Sequence, residues 1–325
     1  MNKRERLEAA IAGQPIDQVP VALWRHFPGD DQHPDHLAAA TVAFQRRWDF
    51  DFVKVTPASS FQIRDWGVQD VWVGHIEGTR QYIHRVIERA ADWRALKPLD
   101  VRSGALGQQL RCIDQVLNAL PDVPVIQTIF SPMAQAKNLA GDRLLTDLRE
   151  HESDFRAGLE TITRTTIEYV KAVKATGVAG IFYAVQHASA NLLSRDEFSI
   201  FGREYDLRVL SELSGTWLNV MHVHGDHIYF DLVADYPLQV WNWHDRETDP
   251  TLTEGLKQIK GAACGGIARD MVMLRGRPEA VREQVQDAIA RTQGRRYIVG
   301  TGCVTMVPTP EINIRTAIET ARITL

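Results

Sequence analysis

The feature that most constrains this chain is an alternation of two periodicities. Short apolar, β-branched runs recur between longer stretches with helical spacing. Eight runs read as strands: residues 19–24, 52–56, 123–130, 178–185, 217–223, 238–243, 259–263 and 297–300. Most are apolar throughout, as parallel strands buried on both faces are. Between them, Phe155, Leu159, Ile162 and Ile167 lie near helical spacing in residues 154–175. Val281, Val285 and Ile289 form one stripe in residues 278–291. Ser194-Arg195-Asp196-Glu197 fits a capping box opening a further helix. Eight strands alternating with helices in 325 residues predict one α/β domain over residues 1–325, a (β/α)8 TIM barrel. An open doubly wound sheet is the runner-up, but no dinucleotide-type glycine fingerprint follows the first strand. The long stretch after Thr56 predicts an insertion after the second strand, with extra strands at 71–73 and 81–86 over the barrel mouth.

In such barrels chemistry sits where strands end at the C-terminal face. His222-Val223-His224-Gly225-Asp226 closes the fifth run, and Thr301-Gly302-Cys303 follows the eighth. Alternate strand residues share a face, so His222 and His224 point the same way. Two imidazoles and a thiolate match the ligand count of a catalytic zinc site with one open position. Iron, cobalt or nickel also suit such donors. Asp226 and Asp245 are candidates to orient these ligands. Asp245 could alternatively act as acid or base, and Asp226 could cap the next helix. Arg25, Gln186, His187 and Asn242, at other strand ends, are candidate substrate contacts. Lys54, Thr56, Gln127, Tyr183 and His244 also lie at or near strand ends, and many of these strand-end residues are expected to converge on one pocket. Cys264, in Ala262-Ala263-Cys264-Gly265-Gly266, reads as a small buried residue, with a fourth-ligand role as the alternative. Cys112 lies in a helical pattern and reads as structural.

A net charge of -4 offers no basic field for nucleic acid and no polybasic membrane anchor. No stretch approaches the roughly 18 consecutive apolar residues of a spanning helix. The cysteines are odd in number and scattered, so a disulfide framework is not expected. With no apolar signal-peptide core at the N-terminus, the expected location is the reducing cytoplasm.

Several motifs in order resemble the uroporphyrinogen decarboxylase superfamily. They are residues 3–13 (KRERLEAAIAG), Asp17-Gln18-Val19-Pro20-Val21, Leu193-Ser194-Arg195-Asp196-Glu197-Phe198, Gly302-Cys303-Val304 and Pro308-Thr309-Pro310-Glu311. The resemblance spans essentially the whole chain and implies a (β/α)8 barrel. True decarboxylases of this kind need no metal, and use an arginine-rich stretch, an aspartate, a tyrosine and a late histidine. Here that stretch keeps Arg25 but loses the second arginine, and Lys54-Val55-Thr56-Pro57 stands where the aspartate is expected. Lys137 replaces the tyrosine and Cys303 the histidine. The zinc-dependent methyltransferase branch, which works with corrinoid proteins and thiols, carries His-x-Cys-Gly-Asp and a late Gly-Cys. His222-Val223-His224-Gly225-Asp226 is similar, with histidine for the first cysteine, and Cys303 matches the second. The resemblance therefore implies a zinc site at His222, His224 and Cys303. It also implies methyl transfer between a corrinoid, on a corrinoid protein partner, and a zinc-activated thiol. The alternatives are metal-independent decarboxylation of a porphyrinogen or smaller acid, zinc-assisted hydrolysis or lyase chemistry, and a non-catalytic tetrapyrrole- or corrinoid-binding barrel.

Overall fold

The computed structural model describes residues 1–323. Thr324 and Leu325, the end of the expected domain, lie outside the described residues. In chain order the strands are β1 (Val53–Val55), β2 (Gln69–Val71), β3 (Gln81–His84), β4 (Val125–Phe130) and β5 (Gly180–Val185). There follow β6 (Val220–Val223), β7 (Val240–Trp243), β8 (Ala262–Ile267) and β9 (Tyr297–Thr301). Seven of them form one curled parallel sheet in the order β1-β4-β5-β6-β7-β8-β9. Every residue of these seven strands is buried, as the unbroken apolar runs require. Helices connect them, including Glu152–Ala175 and Pro278–Thr292 where the stripes predict them. Ser194 caps the turn at Arg195–Glu197 with the reciprocal bonds of a capping box. The arrangement is an α/β fold consistent with a TIM-like barrel.

The first expected strand is reduced. Residues 19–24 contribute a single parallel bridge, Val21 to Val299. Ala22 N donates to Val299 O at 3.0 Å, and Val299 N to Pro20 O at 2.8 Å. Pro20 itself has no N–H to extend the ladder. Toward β1, Asp51 N donates to Val21 O at 2.9 Å, while Val21 N donates to the Asp51 carboxylate at 2.8 Å. A side chain thus takes the place of a ladder carbonyl at this seam.

β8 starts three residues later and ends four residues later than the expected 259–263, so Cys264 lies within the strand. Its small residues allow close approach: a Cβ on Gly300 of β9 would stand 2.7 Å from Cys264 Sγ. β2 and β3 form a separate antiparallel pair between β1 and β4 in sequence. The turn between them reaches the C-terminal ends of the parallel strands. Val307 N donates to Ile76 O at 2.8 Å, and Arg269 pairs with Glu77 at 2.7 Å. Gly78, at φ +80°, sits so close to His26 that a Cβ would stand 2.5 Å from the His26 Cβ.

The opposite end is closed by the N-terminal helix Lys3–Ile11, capped by Asn2. Its Arg6 donates to Asp17 at 2.8 and 2.9 Å and to Asp51 at 2.7 Å. Asp51 is fully buried. No described helix is long and apolar enough to cross a membrane.

Candidate metal centre

Side chains from three strand ends meet at one point. His222 ends β6, with His224 two residues on; His244 follows β7 and Cys303 follows β9. One ligand atom from each of these four residues lies within 4.8 Å of every other. His222 Nε2 is 3.4 Å from His224 Nδ1. Cys303 Sγ is 3.5 Å from His222 Nε2 and 3.8 Å from His224 Nδ1. A tetrahedral zinc with Zn–N about 2.0–2.1 Å and Zn–S about 2.3 Å places its ligand atoms roughly 3.3–3.6 Å apart. The three edges among His222, His224 and Cys303 therefore suit such an ion with small adjustments.

The supporting bonds fix which ring nitrogens face the centre. Asn242 Nδ2 donates to Cys264 O at 2.7 Å and Thr301 O at 2.9 Å. Its Oδ1 is thereby turned to His222 Nδ1, 2.7 Å away. That bond requires the proton on Nδ1, which leaves the Nε2 lone pair for the centre. Glu247 meets His244 Nδ1 at 2.9 Å. Among the described residues, the other nitrogen, His244 Nε2, is buried with no hydrogen-bond partner. A buried polar atom without a partner costs stability unless something occupies the space beside it.

Charge runs the same way. Burial alone would raise the Cys303 thiol, but the surrounding His222, His224 and His244 outweigh it and hold it well below the ordinary thiol range. Burial pushes His222 down, toward the neutral form that binds metals. Burial opposes protonation of His244 too, yet the Cys303 thiolate and Glu247 carry it up to about 9. A thiolate clamped by three imidazoles is a soft, anionic donor set, and the residues present fit a divalent ion.

His244 is the member of the group that sequence reasoning left unassigned. The available signal was parity: Asn242 and His244 alternate on β7 as His222 and His224 do on β6. Cys264, the expected alternative for a fourth ligand, is instead a buried thiol pushed up by burial and lies outside the group. Asp245 has the opposite parity. Its carboxylate receives Gly266 N at 3.1 Å, and burial raises it to about 6. Asp226 is exposed beyond β6. The structure thus gives the orienting bonds to Asn242 and Glu247, not to Asp226 or Asp245. Asn242, expected to touch substrate, is engaged with His222 and two backbone carbonyls.

Beside the group lies a cavity of about 120 Å³, lined by Trp24, His26, Lys54, Phe130, Phe182 and Gln186 together with His222, His224 and Cys303. Gln186 is where the sequence placed it. His187 is buried with Nδ1 unpartnered but does not line this cavity. Arg25 turns away, because Trp24 and His26 hold the inward positions on either side of it. Its guanidinium donates to Val307 O at 3.0 Å and lies over Phe27 and Phe44. Tyr183 and Gln127 also leave the pocket: Tyr183 donates to Asp206 at 2.6 Å, and Gln127 accepts from Gln109 at 2.9 Å. Lys137 pairs with Asp142 at 2.9 Å on a helix. A larger open groove, about 670 Å³, lies around Arg4, Pro121 and Trp217, and none of the four cluster residues lines it.

The family model described as uroporphyrinogen decarboxylase (URO-D) matches residues 2–323. Among solved structures, a methyltransferase from Methanosarcina mazei is similar at a TM-score of 0.86 and 18% identity. That match covers 99% of this chain and 98% of the other. A B12-independent methionine synthase from Shewanella sp. W3-18-1, in complex with selenomethionine, is similar at a TM-score of 0.61 and 14% identity, covering 97% and 96%. A putative vitamin-B12 independent methionine synthase from Listeria monocytogenes matches at a TM-score of 0.59 and 8% identity, covering 95% and 97%. No curated protein matches the sequence.

Proposed function

Starting from a chain that belongs to the uroporphyrinogen decarboxylase (URO-D) family, we propose that it is a zinc-dependent methyltransferase acting on a thiol. The observation that carries this reading is the convergence of His222, His224, His244 and Cys303 within 4.8 Å. The similarity to a solved methyltransferase supports the reaction class. A corrinoid carried by a partner protein is the proposed methyl source or sink. We read residues 19–24 as the eighth strand of a closed barrel, the β2–β3 pair as its insertion, and residues 1–325 as one domain.

Bound zinc would lower the pKa of a coordinated thiol and supply a thiolate nucleophile at neutral pH. The residues of the chain hold and orient it. Asn242 keeps the Nε2 lone pair of His222 on the centre, and Glu247 holds the His244 ring. With His244 beside the three expected ligands, four residues of this chain would hold the ion. Trp24, Phe130 and Phe182 give the cavity apolar walls. A cavity of about 120 Å³ with Lys54 as its single lining cation suits a small molecule, not a polycarboxylated tetrapyrrole.

The test is metal content after purification without chelator. One equivalent of zinc or a related divalent metal is expected in the native protein, and a large loss in Cys303→Ala. A native protein that carries no metal and takes none up on addition would overturn the reading.

A further inference from the structure

One wall of the cavity beside the four-residue group comes from outside the parallel sheet. Glu77 and Thr79, in the turn between β2 and β3, line it together with Lys54, His222 and Cys303. Those three are 7%, 4% and 8% exposed. Solvent barely reaches them, so a molecule larger than water needs a wall to move.

The turn, residues 72–79, is bonded largely to itself, with His75 at its centre. The His75 carbonyl accepts from Trp72 Nε1 at 3.2 Å and from Gly78 N at 2.9 Å. Its Nδ1 accepts from Glu77 N at 3.3 Å and meets Thr79 Oγ1 at 3.0 Å. Among the described residues, two polar contacts join the turn to the rest of the fold. Val307 N donates to Ile76 O at 2.8 Å, and Arg269 pairs with Glu77 at 2.7 Å. The base of the hairpin is held differently. Arg80 pairs with Asp70 and, at 3.1 Å, with Asp31, and none of these three side chains is more than 7% exposed. Arg85 Nη1 donates to Asn138 O at 2.6 Å, and Val86 N and Ile87 N donate to Leu139 O at 3.1 and 3.2 Å. A self-bonded tip on a fixed base has its freedom at two junctions, between residues 71 and 72 and between residues 79 and 80.

We propose that residues 72–79 are a lid, which swings as one body on these junctions and admits ligands only when both of its contacts with the rim part. Shape fixes the closed position as well. Gly78 has φ +80°, and a Cβ there would stand 2.5 Å from the His26 Cβ and 3.3 Å from Val307 Cγ2. Glycine lets the tip lie against the rim where any other residue would hold it off. Closure of such a segment sequesters the space beneath it. The lid acts on entry and exit whatever molecule the cavity takes, so it stands apart from the reaction proposed above.

The experiment uses Cys303 as a marker inside the cavity. Full-length, chelator-treated protein is exposed to iodoacetamide, a small neutral reagent, and alkylation is read peptide by peptide by mass spectrometry. Cys264, fully buried within β8, reports unfolding of the sheet itself. Glu77→Gln removes the ion pair, and Gly78→Ala drives a methyl group against His26 with no change of charge. Native Cys303 is expected to react at least about 10-fold more slowly than in urea-unfolded protein. It should react roughly 3- to 10-fold faster in Glu77→Gln, the effect of losing one partly buried pair, and faster still in Gly78→Ala. Cys264 should be unchanged in both variants. Hydrogen exchange of the protein as purified gives a second reading. Peptides covering Val307 should exchange faster in both variants, while those covering Val86 and Ile87 hold. A native Cys303 rate equal to the unfolded one, or a rise at Cys264 in step with Cys303, overturns the proposal. So does an unchanged rate at Cys303 or unchanged exchange at Val307 in Gly78→Ala. If Gly78→Ala does not fold, Glu77→Gln decides alone, and an unchanged Cys303 rate there is fatal.

Discussion

The two ends of the sheet bury polar groups in opposite ways. At the base, Arg6 reaches Asp17 and Asp51, and Asp51 also accepts from Val21 N. Both oxygens of Asp51 have partners, and the group ties helix, seam and β1 together. At the other end, among the described residues, His244 Nε2 and His26 Nδ1 are buried without partners, and Lys54 pairs with no carboxylate. Burial pushes His26 down to about 4, which keeps it neutral beside Lys54. Both ends contain charge with similar burial, so burial does not separate structure from chemistry. What separates these two groups is completion: the Arg6–Asp17–Asp51 network is finished, while the His244 and Lys54 side keeps unpartnered groups facing a cavity.

The largest expected effect is at the finished end. Arg6→Met leaves Asp51 buried without its cation and should cost about 3–5 kcal/mol of stability, read from the midpoint of urea unfolding, with metal uptake retained in the folded fraction. A loss below about 1 kcal/mol, the range of exposed pairs, would erase the distinction between the two ends. At the unfinished end, Asn242→Ala removes the acceptor that sets the His222 proton. Metal affinity should fall about 10- to 100-fold, as for other groups behind a ligand, measured by competition with a chromophoric chelator. Unchanged affinity would show that His222 needs no such support.

Asp206 stands between the two cases and should respond least. It is fully buried and accepts from Tyr183 at 2.6 Å and Tyr236 at 2.9 Å, yet burial still lifts it to about 7. An unfolded aspartate titrates near 3.9. Between about pH 4 and pH 7 the folded protein therefore keeps a proton that the unfolded chain has lost. Stability relative to Asp206→Asn should fall as pH rises through that window and level off above it. Thermal midpoints of the two proteins across pH 4–8 check this, and a constant difference would contradict it.

Much of this was legible in the sequence because both periodicities are strong. Seven of the eight runs became ladder strands, and the stripes at 154–175 and 278–291 became helices. His222, His224 and Cys303 were found because strand-end position and alternation suffice to place them. The misplacements share one cause, which is parity. Arg25 and Asp245 each sit one residue from an inward position, and a one-residue step moves a strand side chain to the other face. Tyr183 and Gln127 left the pocket for the same reason. His244 was visible at the end of its run but was not assigned. Glu247 lay beyond reach because its bond to His244 depends on the turn after β7, which propensity does not fix. Lys54 needed the absence of a neighbouring acid, and only the packed structure shows that.

The span of the centre carries a consequence for how the protein is made. His222 and Cys303 are 81 residues apart in the chain and meet through β6 and β9, with β7 and β8 between them. No nascent fragment short of Cys303 can grip an ion with the full donor set. Asn242 meanwhile holds His222 through protein bonds alone, so the cradle is set by the frame around it. Under the proposed function, metallation would be a late event in biogenesis, performed on the finished fold through the cavity that Lys54 lines. The fraction of molecules that work would follow the supply of the ion at that moment, not the speed with which the chain collapses.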